Sequence, residues 1–391
     1  MSITKRMEGI IMLDKLETLA AKCLKQLLKI LSLGAFHRNR IVFFSYHGKQ
    51  YSCNPKYISE YITEHLLPFD IVWAFEHPSD YFYLKQQGIF VTKYLSLSFL
   101  RICLTSRYVI TNSEIPSWFP ITKKQTLINT WHGGGAYKRV GDAYKKENLE
   151  KQKRAELSRK TPCIYLSSSK AFTQMTLRES FRHNGKILET GMPRNDYLVS
   201  QNKPEIHYKV RNHYSLPNDC KLLLYAPTYR NSKKSSDYLL DYAAIHKTLS
   251  ERFGGEWYIL LRMHHFVMEQ LPKISAYIDA SLYPDMQELL YASDILVTDY
   301  SSSMWDFALT GKPCFLYAPD LVQYDLKRGF YTDIHTWPYP LAENIDELIY
   351  NFKTFNPQQY KSKISKHLDD LGNFETGKAS QTIVKIMLHN L

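Results

Sequence analysis

Short β-branched or aromatic runs alternate with helical stretches along much of the chain. The first series is IVFFSY (41–46), DIVWAF (70–75), IFVTKY (89–94), YVITNS (108–113), LINTWH (127–132) and IYLSSS (164–169). The second is LLLYAPT (222–228), WYILLRMH (257–264), ILVTDYS (295–301) and CFLYAP (314–319). Alternation of this kind predicts parallel βα units whose functional loops leave the C-terminal ends of the strands. The stretch at about 197–221 is polar and mixed and predicts a linker, so two doubly wound domains face each other across a cleft. Upstream, Met12/Leu13, Leu16, Leu19/Ala20, Cys23/Leu24, Leu27/Leu28 and Leu31 fall on one helical stripe, with Lys15, Lys22, Lys25 and Lys29 off its centre. A membrane interface or the chain's own core can cover such a stripe. The expected segments are an amphipathic helix in 1–39, a first domain in 40–200 and a second in 201–391.

A length of 391 residues accommodates about two to three domains at roughly 150 residues each. Composition (44% hydrophobic, 14% aromatic, few Gly and Pro) excludes collagenous and largely disordered chains. Fifty Lys+Arg against 38 Asp+Glu give a net charge of +12, which favours phosphorylated ligands or acidic lipid. The six cysteines have no C-x-x-C and no zinc spacing, and read as reduced thiols. No run approaches 18 uncharged apolar residues, and Asp14, Lys15, Glu17, Lys22 and Lys25 interrupt the N-terminal apolar stretch, so the chain is expected to stay on the cytoplasmic side; the lysine-flanked stripe would hold it peripherally on that face of the membrane.

Several chemistries are missing from the sequence. There is no G-x-x-x-x-G-K-[ST], no completed G-x-G-x-x-G after Gly133-Gly134-Gly135, and no G-x-S-x-G to make HGGG an esterase loop. There is also no H-E-x-x-H and no D-x-D, so neither a metal nor a bound cofactor is expected.

Four strings remain at predicted strand ends: INTWHGGGAYKRVG (128–141), YAPTYR (225–230), LLRMHH (260–265) and VTDYSSSMWDF (297–307). In the first, glycines allow close approach of phosphate, and His132 suits proton transfer near neutral pH. In the last, Ser301, Ser302 and Ser303 precede a helix whose free N–H groups can hold pyrophosphate oxygens. Ser303-x-x-Asp306 also fits a capping box, and the two uses are compatible.

Taken together, NTWHG, GMPRNDYL (191–198), YAPTYR, LRMHH, TDYSSSMWDF and RGFYTD (328–333) resemble the ordered motif set of the CDP-glycerol glycerophosphotransferase family, the teichoic-acid primases and polymerases and their capsule relatives. FFSYHGKQYSCNPKYISEYI (43–62) adds to the likeness, which covers about residues 40–340. The resemblance implies a GT-B-type α/β fold with two Rossmann-like domains, the nucleotide being held mainly by the C-terminal one. It implies transfer of glycerol phosphate or a related polyol phosphate from a CDP-activated donor to a hydroxyl of a lipid-linked glycan, with release of CMP.

On that resemblance the functional histidines are His132, as general base, and His264, at a phosphate oxygen. Gly133, Arg194, Asn195, Arg230, Arg262, Asp299, Ser301, Ser302 and Arg328 become the substrate-binding candidates. Residues 138–160 hold nine basic residues against four acids, so Lys138, Arg139, Lys145 and Lys146 are expected to face the acceptor or an anionic membrane surface. No nucleic-acid partner is expected. The loop GGGAYK stands where family polymerases often have Gly-Thr-Pro-Leu-Lys, and about 40 residues precede the catalytic part, which favours a primase-like or capsule-type enzyme. A GT-B glycosyltransferase using a nucleotide sugar and a non-enzymatic polyanion-binding protein are the competing readings.

Overall fold

The apolar runs become the strands of two parallel sheets. A computed structural model describes residues 34–116, 119, 121–144, 161–228, 240–263 and 276–390, with Gln26 and Ile30. The expected helix of 10–33 therefore lies outside the described residues apart from those two. The first sheet contains β1 (His37–Phe44), β2 (Asp70–Phe75), β3 (Phe90–Lys93), β4 (Ser106–Thr111), β5 (Thr126–Asn129), β6 (Ile164–Leu166) and β7 (Ile187–Leu188). The second contains β8 (Lys221–Ala226), β9 (Trp257–Leu261), β10 (Ile278–Asp279), β11 (Ile295–Thr298), β12 (Cys314–Tyr317) and β13 (Leu341–Ala342).

Their orders are β3-β2-β1-β4-β5-β6-β7 and β10-β9-β8-β11-β12-β13, the same doubly wound order twice. In each, the chain reverses direction across the sheet between the first and fourth strands. These switch points are where α/β sheets bind ligands. They lie between β1 and β4, with Val42 level with Val109, and between β8 and β11, with Leu224 level with Leu296.

Inner strands are buried on both faces, as the unbroken DIVWAF run requires. Ile58 and Ile62 of the Cys53–Glu64 helix join Trp73 and Phe75 on one face of the first sheet. Phe99, Cys103 and Leu104 of the Leu97–Thr105 helix join Val42, Phe44 and Val72 on the other. At about 1.5–3 kcal/mol per fully buried large apolar side chain, these two layers hold the strand ends in place.

Three expectations about chain organisation need correction. The polar stretch expected as a linker forms the Asp196–Ser200 and Glu205–His213 helices. It is anchored by buried Val210 and by Arg211, whose Nη2 donates to the Cys220 carbonyl at 2.8 Å. Its buried apolar anchors, Tyr197, Leu198, Val210 and Cys220, are split between two short helices and the turn after them, which leaves little periodicity to read. The first sheet already begins at His37, inside the segment assigned to the N-terminal helix. At the other end, the Ala379–Leu388 helix returns to the first domain, where Ile383, Val384 and Met387 enter its core. Asp196 receives the Ala379 and Ser380 amides of that helix, each at 2.8 Å.

Candidate active site

At the first switch point the loops after β1, β4 and β5 meet. The Tyr46 amide donates to Asn112 Oδ1 at 2.8 Å, tying the β1 loop to the β4 loop. His132, after β5, places Nδ1 2.9 Å from the Asn112 carbonyl. A carbonyl only accepts, so Nδ1 carries the proton and Nε2 keeps its lone pair. The imidazole stacks on Trp131 at 4.4 Å and meets the Tyr46 ring at 5.5 Å. Burial pushes its pKa down to about 4 against the upward pull of the Asn112 hydrogen bond, and the charges of Arg194, Lys138 and His47 push it further down.

The backbone here is held in costly conformations. Tyr46, His47 and Trp131 have φ of 47°, 58° and 53°. Left-handed geometry at non-glycine residues costs on the order of 1–3 kcal/mol each and persists where surrounding contacts over-determine it. Those contacts are visible. Asn54 Nδ2 donates to the Trp131 carbonyl at 3.1 Å, Asn129 Oδ1 accepts the Trp131 amide at 2.9 Å, and Arg194 Nη1 donates to the His132 carbonyl at 2.7 Å.

The glycines act differently from the expectation of open phosphate access. A Cβ on Gly134 would lie 2.7 Å from Trp305 Cδ1. One on Gly135, where φ is +76°, would lie 2.4 Å from Tyr137 and 2.8 Å from Trp305. These two glycines admit the indole of the second domain, and Gly133 is left as the partly exposed member beside His132.

At the second switch point, buried Asp299 accepts the Thr228 amide on both carboxylate oxygens at 3.0 Å and the Thr228 hydroxyl at 2.6 Å. It thereby locks the β8 loop to the β11 loop. Ser301 and Ser302 are partly exposed beyond it. The Ser303–Ala308 helix begins with Ser302 at its cap, whose own side chain makes no cap bond, while the Ser301 hydroxyl accepts the Ser303 amide at 3.3 Å. This overturns the capping-box reading: the Ser303 hydroxyl is buried with no hydrogen-bond partner among the described residues, and Asp306 faces Arg194 instead. A buried guanidinium offers a carboxylate more than an N-terminal amide does.

The two domains join through the loop that follows His132. Tyr137 sits in the second domain's core, and its hydroxyl lies 3.0 Å from that of Tyr339. Lys138 bridges Phe330 in antiparallel fashion, and the Arg139 amide donates to the Gly329 carbonyl at 3.1 Å. Arg139 itself is exposed.

Of the remaining candidates, Arg194 and Asn195 are buried rather than aimed into open cleft. Arg194 Nη2 donates to Asp306 at 3.0 Å, and Asn195 Nδ2 donates to Asp306 and Glu375, each at 3.0 Å. Arg262 donates from Nη1 to the Ala280 and Tyr283 carbonyls at 3.1 and 2.8 Å, and burial lowers its pKa. Arg328 donates to the Arg139 carbonyl at 2.8 Å and lies 4.1 Å over the Tyr144 ring, bracing the seam. His264, Arg230, Lys145 and Lys146 lie outside the described residues. A cavity of about 530 Å³ bordered by Glu114, Cys163, Tyr165, His183 and Lys186 contains none of the candidates. Among the described residues no cluster of His, Cys, Asp or Glu could hold a metal ion, and no helix is long and apolar enough to cross a membrane.

Sequence reading passed over Asn112, Tyr46, Gln287 and Glu375, and saw Asp306 only as a helix cap. Asn112 and Tyr46 each stand at the C-terminal end of a predicted strand, which is the signal that could have found them. The other three act through contacts between distant segments.

Comparison with known proteins agrees with this architecture. The chain matches the family described as CDP-Glycerol:Poly(glycerophosphate) glycerophosphotransferase over residues 27–389. It is 32% identical over 383 residues to the teichoic acid poly(glycerol phosphate) polymerase of Bacillus subtilis (strain 168), covering 94% of this chain and 51% of that protein. The chain thus spans about half the length of that relative. The enzyme of the same description from Bacillus spizizenii (strain ATCC 23059 / NRRL B-14472 / W23) is 30% identical over 390 residues, covering 96% of this chain and 98% of that one. In structure, a histidine-to-asparagine variant of the wall teichoic acid polymerase TagF soaked with CDPG superposes with a TM-score of 0.81 at 28% identity, covering 100% of this chain and 98% of that one.

Proposed function

This chain belongs to the CDP-glycerol:poly(glycerophosphate) glycerophosphotransferase family, and from that premise we propose that it transfers glycerol phosphate, or a related polyol phosphate, from a CDP-activated donor to a hydroxyl of a lipid-linked glycan, in teichoic-acid or related surface-polymer synthesis. One observation carries the reading at the level of residues. The loop with the free Nε2 of His132 packs directly against the helix that follows Ser301 and Ser302, through Gly134, Gly135 and Trp305. The first switch point supplies a base; the second supplies serines next to locked backbone.

In the reaction, the acceptor oxygen bonds to the glycerol-side phosphorus. The bond from that phosphorus to the bridging oxygen breaks, and CMP leaves with that oxygen. The acceptor's proton passes to Nε2 of His132. Ser301 and Ser302 hold the diphosphate, Arg230 is a charge-matching candidate beside it, and His264, on the family resemblance, stands at the phosphate oxygen that gains charge as CMP leaves. The direct test is a donor panel of CDP-glycerol, CDP-ribitol and UDP-sugars with a lipid-linked acceptor. Release of CMP from a CDP-polyol is the expected result, and turnover of a UDP-sugar alone would instead make the chain a glycosyltransferase.

The lowered pKa of His132 gives a pH prediction. The base works in its neutral form, so the acid limb of kcat/KM, which reports the free enzyme, should lie near pH 4 rather than near 6.5. A bound diphosphate adds negative charge beside the imidazole and favours its protonated form, so the limb of kcat should lie higher than that of kcat/KM. Folding follows the same sign: the unfolded chain takes up this proton first, so the contribution of His132 to stability falls as pH drops from about 6.5 to about 4. A pH–rate profile of both parameters checks the pair of limbs.

The reaction is placed at an anionic membrane surface, on the strength of the lysine-flanked stripe in 10–33 and the basic excess in 138–160. At about 1 kcal/mol per lysine near acidic lipid, binding should be reversible and salt-sensitive. A chain starting at residue 36 should sediment less with phosphatidylglycerol vesicles than the full chain, while turning over a soluble acceptor analogue equally well. Equal sedimentation would move the membrane role to 138–160.

A further inference from the structure

The helix Ser303–Ala308 touches the His132 loop twice. Trp305 fills the space above Gly134 and Gly135, and Asp306 reaches the loop through Arg194. The guanidinium is the link: Nη2 donates to Asp306 at 3.0 Å, while Nη1 donates to the His132 carbonyl at 2.7 Å. Asp306 is fixed in turn by Asn195 Nδ2 at 3.0 Å and Gln287 Nε2 at 2.9 Å, and Gln287 also donates to Asn195 Oδ1 at 3.1 Å. Arg194 comes from the first domain, whereas Asp306 and Gln287 come from the second. All four side chains are buried, Arg194 being 4% and Asp306 3% exposed.

A buried ion pair is weak evidence for stability, because desolvation opposes the attraction. What this one does provide is geometry. Arginine's planar fork fixes two acceptors at once, here a carboxylate in one domain and the carbonyl of the candidate base in the other. The carboxylate sits four residues beyond Ser302, so any displacement of the serine loop bears on the peptide of His132. We propose that Arg194 and Asp306 are a positioning pair that sets His132 in register with the Ser301–Ser302 donor loop across the domain boundary. Neither touches substrate. The inference deepens the transferase reading and rests on it for its kinetic part.

Three variants separate positioning from packing. Arg194→Lys keeps the charge but cannot span both acceptors, so kcat should fall by about 10- to 100-fold while KM for CDP-glycerol stays nearly constant, as expected for a misplaced base. Arg194→Gln removes a cation beside His132, so the imidazole, titrated by NMR, should gain its proton at higher pH. Asp306→Asn leaves that cation uncompensated and should move the titration to lower pH. The other charged and titratable groups facing His132, Lys138, His47 and Tyr46, are unchanged in all three.

If Asp306→Asn does not fold, Arg194→Lys and Arg194→Gln still decide the matter. Folded Arg194→Lys with wild-type kcat overturns the proposal, as does an unmoved His132 titration in Arg194→Gln. If the wild-type chain does not turn over CDP-glycerol, the transferase reading fails instead. The titrations still judge whether Arg194 and Asp306 control the site of His132.

Discussion

His132→Ala should lower kcat by about 100- to 10,000-fold, with the fold intact and CDP-glycerol still bound. The magnitude follows from the role: an acceptor hydroxyl attacking phosphorus must lose its proton, and the Asn112 carbonyl leaves Nε2 as the free lone pair of this imidazole. Burial pushes the imidazole's pKa down to about 4, so the variant would lose a proposed base that is neutral across the whole neutral range. Nucleotide affinity should be nearly unchanged, because the diphosphate is assigned to the opposite domain. A folded His132→Ala chain with near-wild-type kcat would remove the proposed base. His132→Gln retains hydrogen-bonding capacity without basicity and should be almost as slow.

Trp305→Ala should give the largest loss of stability, about 3–5 kcal/mol, as truncation of a fully buried indole does elsewhere. Here the cavity would open at the boundary between domains. The indole covers Gly134 and Gly135, and its Nε1 donates to Glu375 Oε1 at 3.1 Å. Glu375 also accepts the Met192 amide at 2.8 Å and Asn195 Nδ2 at 3.0 Å. Burial pushes that carboxyl up to about 8 even with these three donors, so losing the indole N–H raises it further. Thermal and urea unfolding should show the lower stability, together with earlier loosening of the 134–137 loop by hydrogen exchange. A change of less than 1 kcal/mol would mean that the seam is held by Tyr137 and the Lys138–Phe330 bridge instead.

Much of the fold was legible because parallel strands buried on both faces must be continuous apolar runs. DIVWAF coincides with β2, and each of the ten expected runs overlaps a strand. The three strands that escaped, β7, β10 and β13, are two-residue edge strands, too short to carry a period. The candidate site was legible to the extent that it depends on strand ends. His132, Ser301 and Ser302 follow β5 and β11 directly, and a strand end with Gly, Ser or His is visible in one dimension. Contacts that join distant segments leave no such trace. Nothing in GMPRNDYL says that Arg194 faces Asp306, 112 residues later, rather than solvent or phosphate. Likewise Ser303-x-x-Asp306 looks like a cap until a guanidinium from the other domain claims the carboxylate.

The transfer reaction itself can be measured directly, without any variant. The purified chain is incubated with CDP-glycerol and a lipid-linked glycan acceptor, and the products are followed by ³¹P NMR and mass spectrometry. The account predicts one CMP released for each glycerol phosphate added, with a new phosphodiester on the acceptor. Release of glycerol phosphate into solution without acceptor modification, or no CMP under conditions that support turnover of a UDP-sugar, would contradict it.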